Sequence, residues 1–374
     1  MKITKLFVGL LLLGCNLLFA QNKLTRPKLV VGIVVDQMRY DYLYRFANRY
    51  GENGLKRMMR EGLNCQDNHY NYAPTVTAAG HASVYTGTVP AVHGIVGNEW
   101  MDRATGKRVY CTDDSTVTTV GTTGKTGFMS PKNLWTSTIT DQLKISQNYQ
   151  SKTIAIALKD RGAILPGGHT ADAAYWYDSK EGRWITSSFY MKELPTWVQG
   201  FNAEERAQKM AKLGWNTLYP LDTYRSSAPD NGEFESKMAG ETAPVFPHTL
   251  QGGNPLELIR TSPYGNTLTK DFAIKAMQEE QLGKRGTTDF LAISFPKDGA
   301  DMAYARKLAD AASAKYGVGK VRTIAKVERA EAIEPEALKS IIAESDGIMV
   351  ARGDLAIEVG NAAVPALQKR MIAW

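Results

Sequence analysis

Three short, almost wholly apolar runs punctuate the first 295 residues: Leu29–Val35 (LVVGIVV), Thr153–Leu158 (TIAIAL) and Asp289–Ser294 (DFLAIS). They are continuous rather than alternating, and the first is rich in β-branched residues, the pattern of strands buried on both faces, as in a parallel sheet. Between them, Leu55–Glu61 reads as a helix closed by Gly62, and residues 75–85 read as a loop running into a helix at Thr77. Residues 166–250 are rich in Trp, Tyr, Gly and Pro without clear periodicity, which predicts an elaboration around a site rather than a separate domain. After Phe295 the texture changes. Met302–Tyr316 is an Ala- and Lys-rich helical stretch, Val321–Val327 a strand, Pro335–Glu344 a helix, Gly347–Ala351 a strand and Ala362–Trp374 the start of a helix. Such strict βα alternation is how units of a parallel barrel or sheet are written. A closed (β/α)₈ barrel needs about 250 residues, and residues 295–374 supply two or three units of one.

The N-terminus changes the expected address. Lys2 and Lys5 precede an apolar stretch from Leu6 to Phe19, with a small-residue boundary at Ala20-Gln21. That is the layout of an export leader and is short for a membrane span. A second processing site, Leu12-Leu13-Gly14-Cys15, would instead leave a lipid anchor on Cys15; the apolar run continuing past Cys15 favours cleavage after Ala20. Either route predicts a periplasmic or secreted protein without a stable membrane span. Export makes Cys65 and Cys111 candidates for one disulfide, with two buried free thiols as the alternative.

Composition narrows little else. With 43% hydrophobic and 22% charged residues, the 374-residue chain can bury a sizeable core. The net charge of +7 is spread along the chain, with no basic run interleaved with aromatics, so nucleic acid is not an expected partner. A mildly basic surface also suits anionic phosphate substrates.

The candidate chemistry sits where open α/β sheets put it, at the carboxyl ends of strands. Asp36 follows the first apolar run directly. Thr77 opens a helix, and helix N-termini favour anions; Ala78-Ala79-Gly80 would let a ligand approach the backbone amides. Asn98 offers an amide, and Lys159 and Arg161 follow the second run. Acid, hydroxyl, amide and two cations form a set suited to phosphoryl transfer. The bland alternative is an Asp that caps a turn and two cations on a solvated loop.

Several blocks carry a family resemblance: VVDQMRYDYL (34–43), PTVTAAGHASVYTG (74–87), VPAVHGIVGNEW (89–100), ALKDRGAILPGGHTADAAYWYD (157–178) and SPYGNTLTKDFAIKAM (262–277). In this order they resemble zinc alkaline phosphatases that use threonine as nucleophile. The resemblance implies an α/β sheet with helices on both faces, small phosphate esters as substrates, and Thr77 as nucleophile. It also implies Asp36 and Thr77 as zinc-site groups, and Asn98, Lys159 and Arg161 as donors to the phosphoryl oxygens. Zinc would lower the pKa of the attacking alkoxide and stabilise the leaving oxygen. His81 and His93 match family positions that are not ligands. The chain leaves the family pattern at its third run, before the Asp and His ligands expected next, and all five histidines lie at or before His248. Impaired hydrolysis is therefore expected.

The last part resembles a different family. ISFPKDGADMAYARKLADAA (293–312), AKVERAEAI (325–333) and SDGIMVARGDLAIEVG (345–360) are similar to pyruvate kinase. By spacing alone, Lys326 and Glu328 share one face of a strand end and Asp354 follows another strand. The resemblance implies Lys326 as the acid serving an enolate, Glu328 and Asp354 as Mg²⁺ ligands, and Gly353 with Asp354 at the substrate carboxylate. K⁺ would be a further cofactor of that family. The expected organisation is thus a leader over 1–20, a truncated phosphatase-like sheet over 21–294, and a partial (β/α) barrel fragment over 295–374, joined near residues 288–296.

Overall fold

The computed structural model describes residues 26–295, apart from 37, 39, 67, 228, 229 and 232–236, and the backbone of two later strands. The leader, Cys15 and the expected helices beyond residue 300 lie outside the described residues.

The three apolar runs become adjacent strands: β1 (Leu29–Val35), with β5 (Thr153–Ala157) and β8 (Asp289–Phe295). Three shorter strands precede β5: β2 (Glu99–Met101), β3 (Arg108–Tyr110) and β4 (Thr119–Val120). β6 (Ala173–Asp178) and β7 (Arg183–Ser187) follow it. The main sheet has six strands in the order β1-β8-β5-β6-β7-β4, parallel from β1 to β6 and antiparallel from β6 to β4. β2 and β3 form a separate antiparallel hairpin.

The alternation of side chains along the strands sorts them to two covered faces. On one face Ile154 and Ile156 of β5, Leu291 and Ile293 of β8, and Tyr175 of β6 pack with Phe272, Ala273 and Ala276. Those three come from helix Pro263–Glu279. On the other face Ala155, Ala157, Ala292 and Trp176 pack with Tyr85, Ala163 and Ile164, which come from helices Thr77–Thr86 and Asp160–Gly167. The expected α/β sheet with helices on both faces is therefore what forms. These helices are labelled in chain order: α1 (Leu55–Glu61), α2 (Thr77–Thr86), α3 (Asp160–Gly167) and α4 (Pro263–Glu279). Gly32 lets α2 approach β1, because a Cβ there would stand 2.6 Å from the Tyr85 hydroxyl.

One expectation is corrected, and one open alternative is resolved. The stretch from 166 to 250 is not only elaboration, since it supplies β6 and β7 to the sheet. AAYWYD carries aromatics that favour strands, but it escapes a strand reading because it sits within Gly- and Pro-rich sequence without clear periodicity. Of the two readings left open for Cys65 and Cys111, the disulfide does not form. Cys111 is fully buried among Ala78, Ala82, Ile95, Leu134 and Leu165, and burial pushes its thiol up to about 12, so it packs as a small apolar side chain.

Beyond residue 295, β9 (Ile324–Val327) and β10 (Gly347–Val350) pair in parallel, with Lys326 opposite Met349. Both lie within the expected strands, whose remaining residues, 321–323 and 351, are outside the described ones. Glu328, Gly353, Asp354 and the side chain of Lys326 lie outside the described residues.

Candidate active site

The carboxyl ends of β1, β8 and β5 bring four of the expected residues to one place. Asp36 leaves β1 still tied to the sheet, its amide donating to the Phe295 carbonyl at 3.0 Å. Its Oδ2 accepts two hydrogen bonds, from Thr77 Oγ1 at 3.0 Å and from Lys159 Nζ at 2.5 Å. Burial would raise the Asp36 carboxyl, but the hydrogen bond and charge of Lys159 outweigh it and hold the group below the ordinary carboxylate range. Asp36 is therefore ionised, and a weak base towards the threonine it touches.

Thr77 is the first residue of α2, after an extended Val76 that provides no side-chain cap. The helix amides are not all open to a ligand as the glycine-containing sequence suggested. Ala78 is fully buried and its amide donates to Asn98 Oδ1 at 2.9 Å. That bond fixes the amide of Asn98 so that its Nδ2 remains the donor. His81, one turn into α2, is buried and bonded through Nδ1 to the Thr77 carbonyl and through Nε2 to Ser294 Oγ, each at 2.7 Å. A carbonyl only accepts, so Nδ1 carries the proton and Nε2 accepts from the serine. Burial keeps the ring neutral by lowering its pKa. His81 is thus a strut between the threonine turn and β8. His93 is likewise structural, accepting from the Ile95 amide and donating to Ser83 Oγ.

Lys159 caps α3 and Arg161 is its second residue, so neither lies on a solvated loop. Arg161 is held by residues that the sequence did not single out. Its Nη1 donates to the Tyr110 hydroxyl at 2.7 Å, and that hydroxyl donates to Asp160 Oδ1 at 2.9 Å. The other Asp160 oxygen accepts from Thr112 Oγ1 at 2.5 Å. Arg161 Nε is buried and has no hydrogen-bond partner among the described residues. Tyr110 and Asp160 are 50 residues apart, so no local pattern announces their contact.

Relatives of this class are typically metal-dependent. A catalytic zinc takes about three protein ligands. Among the described residues no group of three His, Cys, Asp or Glu side chains could hold a metal. Thr77 and the Lys159 ammonium both donate to one oxygen of Asp36, and both ring nitrogens of His81 are spent on Thr77 and Ser294. The donor set described does not fit a zinc pair.

With this geometry in view, comparison with known proteins gives the class. A family model described as type I phosphodiesterase / nucleotide pyrophosphatase matches residues 30–299, and the chain belongs to that family. It is similar to a protein from Myroides odoratus called a calcium-transporting ATPase, 55% identical over 280 residues that make up 74% of this chain and 51% of that protein. It is also similar to alkaline phosphatase PafA of Elizabethkingia meningoseptica, 48% identical over 73% of this chain and 51% of PafA. A crystal structure of a PafA variant substituted at one threonine, one asparagine, one lysine and one arginine superposes with a TM-score of 0.74. It is 43% identical and covers 79% of this chain and 62% of that one. The chain spans about half the length of the curated relatives it matches. A second family model, the barrel domain of pyruvate kinase, matches residues 268–374. Pyruvate kinase of Buchnera aphidicola is 47% identical over 85 residues, 22% of this chain and 17% of that enzyme. The two family matches overlap over residues 268–299, a span that contains β8.

Proposed function

We propose that residues 21–294 descend from an exported phosphate-monoester hydrolase in which Thr77 takes up the phosphoryl group, and that this chain retains the phosphate-holding half of that site without the metal half. The observation that carries this reading is the single Asp36 oxygen shared by Thr77 and Lys159. A hydroxyl, a carboxylate and a cation thus lie together at the end of β1 and the N-terminus of α2, which supports reading Thr77 as the nucleophile. Asn98 Nδ2, Arg161 and Lys159 are the donors to phosphoryl oxygens, a cationic set that favours a dianionic monoester. The substituted PafA supports the assignment by residue type, because its threonine, asparagine, lysine and arginine recur here in the same order as Thr77, Asn98, Lys159 and Arg161.

What is missing is activation of the hydroxyl. A threonine is a poor nucleophile at its free pKa and needs a base or a metal. Asp36 is held ionised by Lys159 and is too weak a base for the task, and zinc finds an incomplete donor set in the described residues. From Pro296 onward the chain follows the pyruvate kinase pattern instead of supplying phosphatase ligands. Hydrolysis is therefore impaired.

The pyruvate kinase portion is proposed as a fragment in sequence only. β8, which both family matches include, is paired on its two edges by β1 and β5. It cannot also serve as a barrel strand beside β9. Lys326 as acid, Glu328 and Asp354 as Mg²⁺ ligands, Gly353 at the substrate carboxylate, and a K⁺ site would need that barrel. We infer a join of two families at β8, testable by a long read of the source DNA across codons 285–300.

The functional test is an aryl phosphate assay on the purified chain with added zinc, beside Thr77→Ala. Wild-type and variant are expected to be equally inactive. Turnover abolished by Thr77→Ala would overturn the impairment and establish the nucleophile.

A further inference from the structure

We propose that Tyr110 is a positioning residue that sets the guanidinium of Arg161 for an oxyanion. The inference rests on the reading of Asn98 and Arg161 as phosphate donors. It goes beyond that reading by assigning the β2–β3 hairpin a part in the site.

The hairpin touches both donors. Glu99 pairs with Tyr110 across it, and the Cys111 amide donates to the Asn98 carbonyl at 3.0 Å. Asn98 therefore enters the hairpin, and Tyr110 leaves it, at the same open end. From there the Tyr110 hydroxyl reaches Arg161, on a different element. The proton directions are fixed by chemistry. A guanidinium only donates and an ionised carboxylate only accepts, so the tyrosine hydroxyl accepts from Arg161 Nη1 and donates to Asp160. Thr112, fully buried, takes the second oxygen of Asp160. The relay has one orientation and no spare partner.

The spacing explains why a tyrosine stands here. Asp160 is the chain neighbour of Arg161, yet its Oδ1 is 3.9 Å from Nη1, beyond hydrogen-bonding distance. A carboxylate bonded directly to the guanidinium would compete with an incoming anion for its donors and its charge. The hydroxyl instead passes the orienting bond through a neutral group. The tyrosine ring adds a second restraint, with the guanidinium carbon 5.9 Å from its centroid. Arg161 Nε is buried and has no partner among the described residues, so the guanidinium it belongs to keeps unspent donor capacity while Tyr110 holds it. Pre-set donors of this kind gain affinity by removing the cost of ordering a long side chain at the moment of binding.

The test uses the full chain in two arms. In the first, calorimetry with inorganic phosphate compares wild type, Tyr110→Phe, Arg161→Ala and the double variant, with melting temperatures recorded alongside. Tyr110→Phe is expected to weaken phosphate about tenfold, the loss of one hydrogen bond to a charged group. Its melting temperature should stay near that of wild type. In the Arg161→Ala background, Tyr110→Phe should cause no further loss, because the two residues act as one unit. An equal loss in both backgrounds, or none in either, overturns the proposal. In the second arm, without phosphate, the Nε–H resonance of Arg161 in arginine-labelled protein is identified by its absence in Arg161→Lys. It should be sharp in wild type and broadened by exchange in Tyr110→Phe. An unchanged signal overturns Tyr110 as the positioning residue. Failure of folded wild type to bind phosphate overturns the anion reading itself, and the resonance still decides the role of Tyr110.

Discussion

At the scale of single residues, buried histidines here serve packing and leave their mark on stability. His93 is fully buried, accepts from the Ile95 amide and donates to Ser83. Protonating it would sacrifice the bond from Ile95 and bury a charge. Desolvation lowers its pKa to about 4, against about 6.5 in an unfolded chain. Its contribution is therefore intact above pH 6.5 and is lost progressively as the pH falls towards 4, because the unfolded chain takes the proton first. His81, lowered by burial in the same direction, adds to this slope. His169 opposes it, since the hydrogen bond to Asp141 raises its pKa and its stabilisation is present in acid and lost as the pH rises. Melting temperatures measured from pH 7 to 4.5 should fall in wild type. They should fall less in His93→Gln, which retains a donor and an acceptor but cannot titrate. Parallel curves would show that His93 is not the group responsible.

The same scale shows how far the site could be read in advance. Asp36, Thr77 and Lys159 stand at the end of a strand or the start of a helix, where residue type alone suggests chemistry, and they meet around one carboxylate oxygen. Asn98, singled out for its amide alone, meets the helix amide of Ala78. Tyr110, Thr112 and Asp160 were not legible. Their link is made only when the β2–β3 hairpin folds back on α3, and an aromatic at the end of a three-residue strand carries no signal of that contact.

At the scale of elements, the continuous apolar strands were read correctly and the aromatic ones were not. β1, β5 and β8 declare themselves by continuous apolar runs. β6 and β7 are held by the rings they bury: Tyr175 and Trp184 meet Phe272 of α4 at centroid distances of 5.4 and 4.2 Å. Trp197 and Phe201, from helix Thr196–Ala203, reach the same phenylalanine, each at 5.1 Å. Phe272 thus ties α4, that helix and the antiparallel part of the sheet into one cluster, which no single segment of sequence displays. Replacing it with alanine removes the centre of five packed rings. Phe272→Ala should cost about 3–5 kcal/mol in urea unfolding, with loss of near-ultraviolet circular dichroism, and Phe272→Leu should cost less. A cost of Phe272→Ala below about 1 kcal/mol would mean that the rings repack without it.

At the scale of the whole molecule, the position of β1 decides behaviour in solution. Its sequence is that of a strand buried in the middle of a parallel sheet, but among the described residues it pairs only with β8 and forms an edge. Its side chains beyond Leu29 are only partly buried. The curated relatives are about twice as long as the portion matched here, and the chain turns to a different family as β8 ends, so the ordinary neighbours of β1 are not drawn from the described residues. The hydrogen bonds show which backbone groups are left open. The Lys28 carbonyl and the Asp36 amide both bond to β8. By strand alternation the even-numbered residues of β1 face that partner. Leu29, Val31, Ile33 and Val35 therefore turn their N–H and C=O groups outward, along a flat apolar edge that favours pairing with another chain. Light scattering with size-exclusion chromatography should show association that grows with concentration. Val31→Pro deletes an outward N–H while leaving the β8 ladder intact, which is where a proline blocks edge pairing at least cost. It should shift the chain towards monomer. Val30→Pro, one residue away, removes an inward bond and should destabilise the fold instead. A wild-type chain that stays monomeric at high concentration, or association unaffected by Val31→Pro, would show that β1 is covered rather than open.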